Sequence, residues 1–313
     1  MSLFPHACTL AHPTHRSLVL RQMCARTVCN LVCYPAFQEK VLENQGLKAL
    51  TDLAANAASP VTQRWAAMAL RHLAWMAPQR VHLVDVGAIR PLTDIVADPT
   101  AEVGTRVACA EALAFLGTVT EGEQALMKGG VITSLAAACR QNDPNKAVMY
   151  WSAVVVCNLT ANPDLHARLL RQSTLPAIAA VSESFDHRTV ETAARALFNL
   201  STTVQGCLAL TSNRTLAKTM RNLCTARDAQ ARQWLALVLA NVSVVPRCQL
   251  PLMELKTVHL IGECVPSPPQ SMCTGVVHGC AGCAGCAVCV VCCVLCVACR
   301  VLVHAHRCGS IVH

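Results

Sequence analysis

The chain has 313 residues, of which 53% are apolar and only 14% are charged, and its formal net charge is +8. This composition provides enough apolar side chains for a sizeable core and excludes a chain that is disordered throughout by charge repulsion. Aromatic residues make up 4%, and the basic residues are scattered rather than clustered, so a nucleic-acid-binding surface is not expected.

Residues 1–17 predict an irregular leader, because they contain two prolines and three histidines and show no apolar helical period. They also lack the basic segment and long apolar stretch of a secretory signal. We therefore expect a cytoplasmic protein whose cysteines stay reduced and pack as small apolar side chains.

A repeat with a period near 42 residues extends from residue 18 to residue 245. Six similar segments each end on an apolar anchor, and consecutive anchors are 41 to 43 residues apart. The anchors are Leu31, Leu73, Leu116, Leu159, Leu200 and Val242. Apolar spacings of three and four residues predict helices. Because one such unit cannot bury its apolar face alone, the units are expected to stack.

Each complete unit is predicted to contain three helices, which in the first one cover residues 36–44, 47–56 and 61–76. Gly46 separates the first two helices, because glycine tolerates the positive φ found at helix ends. The same place is taken in later units by Gly87, Gly130 and Ser173. One inward position of the third helix recurs as Leu70, Leu113, Val156, Leu197 and Leu239.

The unit at residues 18–33 is incomplete, since only a third helix is recognisable in it. The apolar side chains expected to lack a covering layer are Leu18, Val19, Leu20, Val28 and Leu31. A solenoid end normally carries a polar cap, so either the natural chain begins earlier or a partner covers this end.

The repeat resembles the armadillo family, with the two-helix HEAT repeat as the alternative. The resemblance covers about residues 18–245 and rests on the period, the glycine before the second helix, and the A-L-x-N-L ending of the third helix at residues 196–200. It implies an all-α, right-handed α-solenoid of three-helix repeats. It also implies a non-enzymatic interaction scaffold, whose third helices line a concave groove that binds an extended peptide or protein surface.

In armadillo proteins an asparagine near the end of each third helix holds the backbone of the bound peptide. The resemblance carries this position to Asn30, His72, Phe115, Asn158, Asn199 and Asn241. An amide offers both a donor and an acceptor, which suits pairing with an extended backbone. The alternative is that these amides bond only within the solenoid.

Trp65, Trp151 and Trp234 each precede that position by seven residues, or about two helical turns, and so share its face. They form either an aromatic ladder in the groove or the packing between adjacent units. The tryptophan that nuclear-import adaptors carry four residues before each asparagine is absent, which argues against import-signal recognition. The predicted groove residues are Asn30, Trp65, His72, Trp151, Asn158, Arg195, Asn199, Trp234 and Asn241.

Three arginines lie on or beside this face, Arg26, Arg64 and Arg195, against Glu111 and Glu191. The mild positive bias predicts an acidic-apolar peptide as the ligand. The histidines of the repeat are isolated, and no catalytic or phosphate-binding motif is present, so neither catalysis nor a cofactor or metal is expected.

Residues 246–313 form a tail rich in proline and then in cysteine and valine, for which no fold is predicted. One interpretation is a frameshifted segment of GC-rich coding sequence. A second is a membrane-tethered adaptor anchored by residues 279–299, which are uncharged and long enough to span a bilayer. A third is a metal cluster on cysteines 286, 289, 292 and 296, whose spacing is ferredoxin-like.

Overall fold

The computed structural model describes residues 18–43, 45–56, 59–140, 145–212, 219–220, 223 and 228–254. All regular structure in these ranges is helical, which confirms the predicted all-α fold. The chain divides into two compact units, one up to Leu159 and the other from Thr160 onward.

The first unit contains one lone third helix followed by three triplets, each made of two short helices and one long helix. Its helices are α1 (Leu18–Leu31), α2 (Pro35–Glu43), α3 (Gly46–Ala55), α4 (Pro60–Trp75), α5 (Arg80–Asp85), α6 (Ile89–Ala97), α7 (Val103–Leu116), α8 (Thr120–Lys128), α9 (Val131–Cys139) and α10 (Lys146–Thr160), which ends on the first residue of the second unit. The third helices α1, α4 and α7 pack in succession, and the second helices α3 and α6 pack against α4 and α7.

The described helices of the second unit follow the same order. They are α11 (His166–Arg171), α12 (Thr174–Val181), α13 (His187–Ser201), α14 (Val204–Ser212), α15 (Ala229–Val244) and α16 (Pro246–Glu254). Between α14 and α15 the structure describes only residues 219–220, 223 and 228. The third helices α13 and α15 pack against each other, and the first helices α11 and α14 do the same. The three-helix repeat predicted from the 42-residue period is therefore present in both units.

The core follows the predicted inward register of the third helices. The five side chains predicted to share one inward position are at most 1% exposed. At the start of the first unit, Leu18 and Val19 are exposed as expected, but Val28 is buried. The expectation for Val28 is wrong because this side of α1 packs against α4, together with Cys24 and Cys29.

In the first complete repeat, the sharp turn between the first and second helices lies at Gln45, one residue before the predicted position at Gly46. The residues with positive φ are Gln45, Gly87, Gly130 and Ser173, at 54°, 77°, 66° and 62°. Gly46 is instead buried at the start of α3. Only Gly87 and Gly130 therefore supply the left-handed conformation that glycine adopts without steric cost.

A side chain from the next first helix closes the end of most third helices. The last carbonyl groups of a helix lack partners within the helix and must be satisfied from outside. Here the donor follows the accepting carbonyl by six residues in Gln38 to Val32 (2.8 Å), Arg80 to Ala74 (2.8 Å), His166 to Thr160 (2.8 Å), Cys207 to Ser201 (3.1 Å) and Gln249 to Ser243 (3.0 Å). Because the donor residues differ in type, this contact cannot be recognised as a motif in the sequence.

The structure corrects the predicted end of the helical repeat at residue 245. Helix α16 begins at Pro246 and packs against α14 and α15. A proline suits the first position of a helix, because the missing N–H would have no partner there and the fixed φ is helical. The prolines in this stretch therefore do not exclude a helix, and Cys248 and Leu252 are buried by it.

We predict that a chain ending at Val245 is less stable than one ending at Glu254. Removing α16 uncovers the apolar surface that Cys248 and Leu252 cover, and one buried leucine side chain contributes about 1.5–3 kcal/mol. The two chains are compared by chemical denaturation followed by circular dichroism at 222 nm. Equal unfolding midpoints would show that α16 does not contribute to the stability of the repeat.

No helix in the described ranges is long and apolar enough to cross a membrane. Nor does any group of three or more His, Cys, Asp or Glu in the same ranges offer the arrangement of a metal site. Residues 1–17 and 255–313 lie outside the described residues, and with them the predicted leader, the anchor at 279–299 and the cysteine cluster.

Candidate binding face

The predicted groove residues lie on the side of the third helices that the core leaves partly open, which we call the third-helix face. In the first unit this face belongs to α1, α4, α7 and α10, and the second unit has a face of the same kind on α13 and α15. In α4, for example, Trp65, Met68 and His72 are partly exposed, whereas Ala66, Ala69 and Leu70 are buried among them. The helical spacing of three and four residues therefore separates the face from the core as expected.

Trp65 lies between two arginine side chains. The guanidinium carbon of Arg26, on α1, is 5.4 Å from the centre of the indole ring, and that of Arg64 is 6.0 Å away. Both distances are those of cation–π contacts. Arg64 also binds Glu102, with 3.1 Å between Nη1 and Oε1. Through its contact with Arg26, Trp65 therefore joins two adjacent third helices, α1 and α4.

His72 lies beside Arg71, a residue that the sequence analysis did not select. Arg71 donates from Nη2 to Nε2 of His72 at 3.2 Å and binds Glu111 with 3.4 Å between Nη1 and Oε2. Burial, and then the nearby Arg71 charge, lower the pKa of His72. His72 is therefore a neutral acceptor rather than a cation at neutral pH, and the Arg71–Glu111 pair carries the charge at this place.

Trp151 belongs to an aromatic cluster that spans two third helices. Its ring centre is 5.9 Å from that of Phe115 on α7 and 5.1 Å from that of Tyr150. Arg80 lies over the ring of Phe115, with its guanidinium carbon 5.7 Å from the centre of that ring. Trp151 is half-buried, so it packs between α7 and α10 and still exposes part of its side chain.

Asn158 and Asn30 differ in how they are held. The Nδ2 of Asn158 donates to the carbonyl oxygen of Ala114, 3.0 Å away at the end of α7. Asn158 receives no hydrogen bond at Oδ1 from any residue in the described ranges. Asn30 is exposed at the end of α1. The end of α7 thus orients the amide of Asn158, and the amide oxygen remains available as a hydrogen-bond acceptor.

The second unit repeats this arrangement on α13 and α15. The Nδ2 of Asn199 donates to Oγ1 of Thr160 at 3.3 Å, and that of Asn241 donates to Oγ of Ser201 at 2.9 Å. Trp234 packs against Phe198, with 5.1 Å between ring centres. All three asparagines therefore bond to the end of the preceding third helix.

The aromatic partners of Trp151 and Trp234 are residues that the sequence analysis did not select. Each phenylalanine precedes its tryptophan by 36 residues, from Phe115 to Trp151 and from Phe198 to Trp234. This equal spacing is the sequence signal that would have found them. The pairs show that Trp151 and Trp234 pack between adjacent third helices. An aromatic ladder in a binding groove stays a prediction. Arg195 is exposed on the face, as its spacing predicts.

The described helices have the armadillo-like repeat fold, which comparison with solved structures bears out. Computationally designed armadillo repeat proteins for modular peptide recognition align with a TM-score of 0.66 and 17% identity, over 76% of this chain and 99% of theirs. A designed armadillo repeat protein in complex with the peptide (KR)4 aligns with a TM-score of 0.64 and 16% identity, over 77% and 100%. A further engineered protein aligns with a TM-score of 0.65 and 19% identity, over 77% and 99%.

No protein-family model matches the chain, and no curated protein matches it. At this level of identity the structural similarities show the fold alone.

Proposed function

We propose that the protein is a non-enzymatic interaction scaffold that binds an extended peptide, or an extended protein segment, along the third-helix face. The observation that carries this proposal is the pairing of a half-buried tryptophan with an asparagine two turns later on α10 and again on α15. The tryptophan offers an apolar surface, and the amide of Asn158, fixed by Ala114, offers an acceptor to a backbone N–H.

The fold supports this proposal, because one structurally similar design is in complex with the peptide (KR)4. That peptide is basic, whereas the faces of this chain carry the exposed Arg26 and Arg195 in addition to Arg64 and Arg71, which bind Glu102 and Glu111. Complementary charge therefore favours an acidic-apolar peptide here. The free cysteines of the described residues, nearly all buried, are consistent with the reducing cytoplasmic setting that we propose.

The proposal is tested with a phage-displayed library of random peptides of about ten residues, which suffice to cross three third helices when extended. The library is selected against the full chain, and selected peptides are then measured by fluorescence anisotropy. Val154 lies between Trp151 and Asn158 on the same face and is partly exposed. We expect Val154→Arg to weaken peptide binding by at least tenfold, because the longer side chain covers the proposed path.

Two further variants make the test specific. Val204→Arg is the matched control, since it makes the same change at an exposed position of a first helix. Asn158→Ala removes the amide and is expected to weaken binding by roughly tenfold, the usual effect of losing one or two hydrogen bonds. Circular dichroism melts of each variant separate loss of binding from loss of fold. Selected peptides that bind Val154→Arg as tightly as the original chain would show that this face is not the binding site.

A further inference from the structure

Arg26 and Arg64 flank Trp65 without a carboxylate shared between them. Arg26 is exposed, and the ring of Trp65 is the one contact that the described residues provide for its guanidinium. Arg64 is also on the surface, and its ion pair with Glu102 uses only Nη1. Two exposed guanidinium groups therefore lie 5.4 Å and 6.0 Å from the centre of one indole ring, and apart from Nη1 of Arg64 their N–H donors make no hydrogen bond to a described residue.

Two arginine–glutamate pairs on this face show which group the chain itself places beside a guanidinium. Arg64 and Arg71, both on α4, each bind a glutamate from the next repeat, Glu102 at 3.1 Å and Glu111 at 3.4 Å. The partners are separated by 38 and 40 residues in sequence. At the corresponding distance from Arg26 the chain has Arg64 and Ala66, on either side of Trp65. Arg26 therefore contacts an indole and has no ion pair within the described ranges, whereas Arg64 and Arg71 each bind a glutamate.

We propose that Arg26, Trp65 and Arg64 form a subsite that binds the carboxylate of an aspartate or glutamate side chain of the bound peptide. This inference deepens the proposed function and rests on it. The two arginines of α4 that make ion pairs on this face, Arg64 and Arg71, both bind a glutamate, which favours a carboxylate over a phosphorylated side chain. The planar guanidinium binds a carboxylate through two parallel N–H donors, and the indole restricts the positions that Arg26 can take.

The geometry also sets the distance from this subsite to the aromatic cluster of Phe115 and Trp151. Trp65 is on α4 and Trp151 is on α10, with α7 between them. Adjacent packed helices are about 8–10 Å apart, so the two sites are about 16–20 Å apart. An extended peptide rises about 3.3 Å per residue, so that distance corresponds to five or six residues. The ligand therefore carries an acidic residue about five or six positions from a large apolar residue.

The selected peptides test this inference directly. We expect aspartate or glutamate to be enriched at one position and an apolar residue about five or six positions away. Changing the acidic residue to glutamine should weaken binding to the original chain about tenfold, and changing it to phosphoserine should not improve binding. Arg26→Gln and Arg64→Gln should each weaken binding of the acidic peptide about tenfold. Neither variant should change binding of the glutamine peptide, because the two changes remove the same contact.

Arg90→Gln is the matched control, because Arg90 lies on the second helix α6 and is almost fully exposed. It should leave the binding of both peptides unchanged. Peptides that bind through Val154 and Asn158 but carry no preferred acidic residue would overturn the carboxylate subsite and leave the scaffold proposal standing. Tighter binding of the phosphoserine peptide would also overturn it. If the library yields no peptide that binds the chain, both proposals are wrong.

Discussion

Replacing Leu113 with alanine should lower the free energy of unfolding by about 2–5 kcal/mol. Leu113 is fully buried in the last turn of α7, and α7 packs against α4 and α6. The loss comprises the transfer free energy of the removed methyl groups and the cavity that the neighbouring helices cannot close. The measurement is the shift in the denaturation midpoint followed by circular dichroism. An unchanged dependence of the unfolding free energy on denaturant concentration verifies that the variant exposes the same area on unfolding as the original chain.

Val103→Ala is the control for this prediction, because Val103 lies on the same helix and is 46% exposed. Exposed substitutions usually change stability by less than about 0.5 kcal/mol. Leu197→Ala makes the equivalent change in the second unit, where the leucine on α13 is also buried. If Leu113→Ala and Val103→Ala gave similar midpoints, the inward register of the third helices would be wrong.

Replacing Gly122 with alanine should be strongly destabilising, although alanine favours helices more than glycine does. A Cβ at this position on α8 would lie 1.8 Å from the carbonyl oxygen of Leu116 and 2.8 Å from its carbonyl carbon. Those atoms are backbone at the end of α7, so the overlap is relieved only by moving one helix away from the other. Overpacking of this kind costs about 1–3 kcal/mol, and a clash with backbone belongs at the upper end.

Gly104→Ala is the matched control, since Gly104 is also helical and lies in the same unit. Its added Cβ meets nothing closer than Oε1 of Glu102 at 3.5 Å, which is an ordinary contact. That change should leave stability unchanged or raise it by about 0.5–1 kcal/mol, because the unfolded chain loses conformational freedom. The two variants are compared by their denaturation midpoints. Equal stability of Gly122→Ala and Gly104→Ala would contradict the close approach of α8 to α7.

The same test applies in the second unit, where Gly206 has an equivalent place. Its added Cβ would lie 1.8 Å from the carbonyl oxygen of Leu200. Gly122 and Gly206 are 84 residues apart, or two repeats. Each is the third residue of a first helix that follows the preceding third helix without the short 3-10 turn found at Ala77–Gln79 and Pro163–Leu165.

The sequence alone determined the repeat and its inward register. Leu70, Leu113 and Leu197 could be assigned to the core because helical periodicity is local and every unit repeats it about 42 residues later. The positions of Trp151 and Asn158 on one face follow from the same geometry, since seven residues make about two turns. The inward register and the shared face depend only on the spacing of residues within one helix, which can be read from the sequence.

Only the tertiary structure decided which side chains meet across the repeats. The pairing of Arg64 with Glu102, the packing of Phe115 on Trp151 and the bond from Asn158 to Ala114 join residues 36 to 44 positions apart. These contacts depend on how far one helix is shifted and rotated against the next, which no local pattern encodes. The same reason hid the buried glycines on α8 and α14 and the packing of α16, because each is defined by the backbone of another helix.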